Sequence, residues 1–214
     1  MSDDLAARRP LKSRSTRWAG GLSRFLLRLG CRPNQVSVMS TVFALGGGAC
    51  MILAARTGTG IWWLGAALGI QLRLLCNLMD GMLAVEGGLK SPAGDLYNEF
   101  PDRLSDAALL MAFGYAGAFN PWSPVLGGIA AAGALMTACI RMHGASLTGT
   151  HDFRGPMAKP QRMAVLTLAC LLLIAFPQWD VIFWTLALIT IGCALTCLRR
   201  LRALAAVLHA RSKP

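Results

Sequence analysis

Apolar residues in this chain do not alternate with polar ones; they come in long runs broken by short polar punctuation. Six runs meet or approach the roughly 20 residues that a membrane-spanning helix needs. They cover about 34–55, 60–85, 93–118, 122–144, 161–177 and 179–199. Two are impure: the last third of the second carries Arg73, Asn77 and Asp80, and the third has a polar first half. The fifth is short, and a tight turn around Pro177 joins it to the sixth. Ahead of the runs, residues 10–30 mix Lys12, Arg14, Arg17, Arg24 and Arg28 with Trp18, Leu22, Phe25, Leu26 and Leu29. That mixture predicts a basic amphipathic helix lying at the membrane face, with a solvated helix docked on the bundle as the alternative. Pro33-Asn34 then breaks the chain and starts the first membrane helix. The predicted fold is all-α: an integral membrane bundle of six transmembrane helices preceded by an N-terminal amphipathic interfacial helix. The expected divisions are a disordered 1–9, the interfacial helix 10–30, a six-helix membrane domain 31–200 and a basic tail 201–214.

Composition agrees with the pattern. Of 214 residues, 55% are hydrophobic and 14% charged, which is the balance of a membrane protein. The net charge of +11 does not point to nucleic acid, because the basic residues form no aromatic-interleaved patch. Eight of the 21 lysines and arginines precede residue 33, and others sit at segment ends, as suits a surface rich in anionic lipid. Lys90, Arg154, Lys159 and the run Arg199, Arg200, Arg202, Arg211 and Lys213 fall on the same side as the basic N-terminal arm; the opposite side has Arg56. Positive charge concentrates on cytoplasmic loops, so both termini are expected in the cytoplasm. The polar N-terminus and the late start of the first apolar run argue against a cleavable signal peptide. Seven cysteines, an odd number with no CxxC pair, read as apolar packing residues. Small residues in Gly46-Gly47-Gly48, Gly65-x3-Gly69, Gly127-Gly128 and Ala130-Ala131-Ala132 predict close helix approach, within the bundle or across a homodimer.

The candidate chemistry lies between the second and third runs. Six of the ten acidic residues are there: Asp80, Glu86, Asp95, Glu99, Asp102 and Asp106. Carboxylates between membrane-length apolar runs are costly, and they face a protein interior or a water-filled cavity and mark a site. At helical spacing Asn77, Asp80 and Ala84 share one face, and Asp95, Asn98, Glu99, Asp102 and Asp106 share another. Joined by the turn at Gly87-Gly88, the two faces can converge on one hydrophilic pocket. Oxygen ligands gathered in this way suit Mg²⁺ or Mn²⁺, and through it a phosphate-bearing substrate.

The stretch resembles the signature of the CDP-alcohol phosphatidyltransferase family, D-x2-D-G-x2-A-R-x8-G-x3-D-x3-D. Here it reads Asn77-x2-Asp80-Gly81-x2-Ala84-Val85-x8-Gly94-x3-Asn98-x3-Asp102, with every spacing kept. Asp80, Gly81, Ala84, Gly94 and Asp102 match; Asn77 and Asn98 replace aspartates, and Val85 replaces the arginine. The resemblance implies that residues 31–200 are a catalytic domain working in phospholipid biosynthesis. It would transfer a phosphatidyl group from CDP-diacylglycerol or another CDP-alcohol to an alcohol acceptor, with release of CMP. It also implies Mg²⁺ or Mn²⁺ as cofactor. Asp80 would be a metal ligand; Asp102 would be the general base and also a ligand. Asn77 and Asn98 would be neutral ligands, with Asp95 and Glu99 as further candidates. Gly81, Ala84 and Gly94 would border the nucleotide. Arg73 either compensates for Val85 or pairs structurally with Asp80, and Arg141, Lys159 and Arg162 are candidates for an acceptor or lipid phosphate. Membrane lipid and a second copy of the chain are the expected partners, in a bacterial inner (plasma) membrane. Two rivals remain: a non-catalytic relative that binds nucleotide lipid or a partner, motivated by the three departures, and a small cation-coupled transporter, which would also need intramembrane acids.

Overall fold

The computed structural model describes residues 16–89 and 93–211, except for the side chain of Asp95. The expected disordered residues 1–9, the first part of the interfacial segment, Lys90 and residues 212–214 lie outside the described part. Seven α-helices and no strand are found among the described residues: α1 Arg17–Arg28, α2 Pro33–Thr57, α3 Ile61–Glu86, α4 Gly94–Ala116, α5 Trp122–Thr148, α6 Lys159–Ala175 and α7 Val181–Arg211. Three helix ends have a clear local cause. Pro33 opens α2 at a position where its missing N–H costs nothing. Gly58 and Gly149 end α2 and α5 with φ of 67° and 75°, a left-handed conformation that only glycine adopts cheaply. α7 continues through residues 201–211, so most of the expected tail is helix.

Six helices form a closed ring. Neighbours run α2, α3, α6, α7, α5, α4 and back to α2, while α1 lies across α3. The ring is filled by Met51, Ile70, Leu109, Leu110, Phe113, Met163, Leu166, Leu186 and Ile189, all fully buried. Trp63 meets Phe113 edge to face at 6.1 Å. α1 is fastened by Ala19 against Leu78, Met79 and Met82 of α3, and it leaves Trp18 and Phe25 exposed. The glycine pairs act as the sequence suggests at two crossings. A methyl group on Gly69 would lie 2.8 Å from the Cα of Gly47, and one on Gly114 would lie 2.8 Å from the Cα of Gly127. Gly46 and Gly128 face open space and serve no crossing.

Four helices, α2, α3, α5 and α7, are long and apolar enough to cross a membrane by length and composition. The expected six spans are therefore matched in full by four. α4 is diluted by the acids and Arg103 of its first half, and α6 has 17 residues. Both nevertheless take their places in the ring, because tertiary packing and not propensity sets most helices. α4 runs unbroken through Pro101. This arrangement sets the last third of α3 beside the polar half of α4, with the start of α6 facing both.

Candidate functional site

The polar residues of α3 and α4 meet in a cavity of about 570 Å³. Asn77, Asp80 and Gly81 of α3 line it, with Asn98, Glu99, Asp102, Arg103 and Asp106 of α4, Arg141 of α5, Lys159 and Arg162 of α6 and Arg200 of α7. Trp18 of α1 and Phe153 of the α5–α6 loop stand at its edge, and Leu74, Leu78, Leu135 and Ala138 form an apolar wall. Ala84 and Gly94 do not line it. Asp95 belongs to α4, but its side chain lies outside the described part.

The carboxylates are tied down by donors. Asp106 is buried, and each oxygen meets a buried guanidinium: Arg73 Nη2 at 2.5 Å from Oδ1 and Arg162 Nη2 at 2.8 Å from Oδ2. Arg162 also donates to the Met157 carbonyl at 2.9 Å and to Thr137 Oγ1 at 3.1 Å. Asp102 accepts from Asn77 Nδ2 at 2.6 Å and from Arg73 Nη2 at 3.4 Å, and its other oxygen is ion-paired with Lys159. Arg141 grips both oxygens of Glu99 at 2.8 and 2.7 Å, and Arg103 reaches the same carboxylate at 2.7 Å. Asp80 Oδ2 accepts from Ser37 Oγ at 2.7 Å, while its buried Oδ1 has no donor. Arg141 lies 5.6 Å from the centre of the Phe153 ring, a cation–π distance.

Several side chains lie elsewhere than the sequence suggests. Arg73 does not pair with Asp80; it is fully buried and serves Asp102 and Asp106. Arg162 is 3% exposed and committed to Asp106. Ser37 and Ser40 of α2 are the residues that sequence reasoning missed. Ser40 donates to Asn77 Oδ1 at 2.8 Å, as Ser37 does to Asp80. Their signal was a pair of hydroxyls spaced i, i+3 near the start of an otherwise apolar helix. Arg200 was read as a tail charge; it is buried, and it donates to the Arg154 carbonyl at 2.8 Å and the Thr137 carbonyl at 2.5 Å. That clamp, with Thr196 Oγ1 accepting from Met157 N–H at 3.0 Å, holds the α5–α6 loop over the site. In the same loop burial works to raise the Asp152 carboxyl, but its hydrogen bonds to Arg154 outweigh this and keep it below its ordinary value.

Among the described residues, the carboxylate oxygens of the site are nearly all held by protein donors and do not form a ready-made cage for a pair of divalent cations. Of the eight oxygens on Asp80, Glu99, Asp102 and Asp106, Asp80 Oδ1 alone lacks a donor. A cation held by protein alone needs about six oxygen ligands, whereas Mg²⁺ takes only about one or two from carboxylates and the rest from water and substrate phosphate. Among the described residues no group of three or more His, Cys, Asp or Glu side chains is arranged to hold a metal.

No protein-family model matches the chain. A curated relative, the Inner membrane protein YnbA of Escherichia coli (strain K12), is 26% identical over 157 residues, covering 72% of this chain and 75% of that protein. Among solved structures, Mycobacterium tuberculosis phosphatidylinositol phosphate synthase (PgsA1) with CDP-DAG bound is similar at a TM-score of 0.71 and 20% identity, over 88% of this chain and 94% of that one. The same protein in complex with manganese and citrate gives 0.71 and 21%, over 87% and 88%. At such identities the likeness establishes a shared fold.

Proposed function

We propose that this chain is a membrane-embedded transferase of the CDP-alcohol phosphotransferase class, which moves a phosphatidyl group from CDP-diacylglycerol, or another CDP-alcohol, to an alcohol. The observation that carries the reading is the convergence, in one cavity, of Asn77, Asp80, Gly81, Asn98 and Asp102 with a bank of cations and an apolar wall. These are motif positions of the family that the sequence resembles. The fold shared with a synthase solved with CDP-DAG bound supports the same substrate class. A cavity that is cationic on one side and apolar on another suits a phosphate head joined to acyl chains.

The chemistry asks little of the protein beyond positioning and charge. Asp102 would accept the proton of the acceptor hydroxyl, which must come within hydrogen-bond reach of its carboxylate. The hydroxyl oxygen would then attack the lipid-side phosphorus. The phosphorus–oxygen bond to CMP would break, and CMP would leave with the electron pair. Asn77 and Arg73 hold Asp102 from behind, so that its orientation is set before substrate arrives. The manganese in the PgsA1 structure is bound by that protein. We place the protein in a bacterial inner (plasma) membrane, as a homodimer with both termini cytoplasmic and α1 lying along that face. The relative's printed description and the four apolar helices support the membrane location; the orientation rests on the distribution of lysine and arginine along the chain.

The test is reconstitution in lipid nanodiscs with CDP-diacylglycerol and a panel of alcohols, with CMP and phosphatidyl products followed by mass spectrometry. Equimolar CMP and one new phosphatidyl lipid is the expected result. A specific observation favours a second reading, a non-catalytic binder of nucleotide lipid: nearly every carboxylate oxygen of the site is already committed to a donor. Binding of CDP-diacylglycerol without CMP release under any condition would select that reading.

A further inference from the structure

We propose that the cavity holds the diphosphate of its substrate with its own cations, Lys159 foremost, and without a pair of divalent metals. The inference deepens the reading just given and rests on it for the identity of the ligand. Three independent features of the site carry it.

The first is charge. Among the described residues four acids line the cavity, Asp80, Glu99, Asp102 and Asp106, against five bases, Arg103, Arg141, Lys159, Arg162 and Arg200. Arg73 stands directly behind them. The cavity is electropositive before any ligand enters. Adding two dications would deepen an existing excess of positive charge, whereas a diphosphate diester relieves it.

The second is the direction of one amide. Asp102 can only accept, so Asn77 must turn its NH₂ toward it, and its oxygen is left to Ser40. An aspartate at 77 would set two carboxylates at contact distance, an arrangement that calls for a shared proton or a cation between them. Asparagine replaces that need with a hydrogen bond. The substitution therefore matches a site assembled in the absence of a metal.

The third is Lys159. Its ammonium is ion-paired with Asp102 at the start of α6, and the side chain keeps 29% exposure on the cavity side. Lysine is a mobile point charge on a flexible stem. From this position it can pass from Asp102 to an incoming phosphate oxygen. The same movement frees Asp102 Oδ2 for the acceptor hydroxyl, so binding of the diphosphate and release of the base are one event. The pair Asp106–Arg162 is not free to make this exchange, because both side chains are almost fully buried and each is held by further bonds, Arg162 to Thr137 and Met157 and Asp106 to Arg73.

CDP binding to the full-length protein in nanodiscs, measured by calorimetry in EDTA and in excess Mn²⁺, tests the proposal. The expected result is a Kd that agrees within about threefold in the two conditions. Lys159→Gln should weaken binding by about tenfold or more in both, the loss of one charge-assisted hydrogen bond. Lys159→Arg should retain binding in EDTA. The double change Asn77→Asp with Asn98→Asp should create a requirement for Mn²⁺. Wild-type binding that appears only with Mn²⁺ would overturn the inference and leave the transferase reading standing. Unchanged affinity of Lys159→Gln in EDTA would also overturn it. Absence of CDP binding in both conditions would overturn the inference and the transferase reading together.

Discussion

Replacing Asp106 by asparagine should damage this protein more than any other single change at the site, although Asp106 is not the proposed base. Asp106 holds two guanidinium groups, Arg73 at 2.5 Å and Arg162 at 2.8 Å, and the side chains of the three residues are 7%, 0% and 3% exposed. Those contacts put each pair of charge centres about 4 Å apart, worth about 4 kcal/mol apiece at an effective dielectric near 20. Desolvation of all three groups offsets much of that gain. Asp106→Asn removes the compensation and leaves two buried cations facing a neutral amide. Breaking a buried pair in this way costs about 3–5 kcal/mol. Asp102→Asn should cost less, about 1 kcal/mol, because its carboxylate is 20% exposed and Lys159 can turn to water. The assay is reversible unfolding in mixed micelles by denaturing detergent, followed by tryptophan fluorescence. A triple replacement, Arg73→Met, Asp106→Leu and Arg162→Met, removes every charge at once and should recover a good part of the loss. If Asp106→Asn proved no more destabilising than Asp102→Asn, the buried network would not be the strut described here.

For catalysis, Asp102→Asn keeps the shape and removes the proton acceptor. CMP release should fall roughly 10²–10⁴-fold while CDP binding persists, as a mass-spectrometric rate assay and calorimetry would show. Gly69→Ala forces a methyl group against Gly47 and should cost about 1–3 kcal/mol in the same unfolding assay. Gly46→Ala meets nothing within 4 Å and should be neutral or slightly stabilising. A single cysteine at position 2 or 212 in a cysteine-free background should resist a membrane-impermeant thiol reagent in intact cells; labelling of either would reverse the proposed orientation of that end.

The helical class and the six long helical segments of the ring were legible in the sequence, though not their order around it. Runs of apolar residues near membrane length have few ways to satisfy their backbone other than as helices. The meeting of α3 and α4 was legible for a related reason. Asn77, Asp80, Asn98 and Asp102 repeat at helical spacing on either side of a short turn, so their faces had to be polar together. Boundaries were less legible: α7 runs to Arg211, past the expected end near 199, because nothing in Leu201–Arg211 stops a helix. Gly47 and Gly69 were visible as candidates for a crossing, but Gly46 and Gly128 looked the same on paper and face open space. Only the angle at which two helices pack distinguishes them.

Partnerships were decided by the tertiary structure alone. Sequence spacing reports which residues share a face of one helix; it carries no information on which cation from a distant helix arrives opposite. Arg73 stood one turn from Asn77 and was open to pairing with Asp80, yet packing of α3 on α4 brings it to Asp102 and Asp106. Arg162 read as a candidate for an acceptor or lipid phosphate and Arg200 as a tail charge marking the cytoplasmic side, but ring closure buries both and turns them into clamps. Ser37 and Ser40 gained meaning when α2 lay against α3. The acids showed in the sequence as an unpaired cluster that invited metal ions. The fold brings α5 and α6 across from them with arginine and lysine, and the same carboxylates become halves of ion pairs. The sequence could set how much charge the site holds, because charge is a property of residues; whether that charge is balanced from within depends on distances of a few ångströms between helices, which only the folded ring determines.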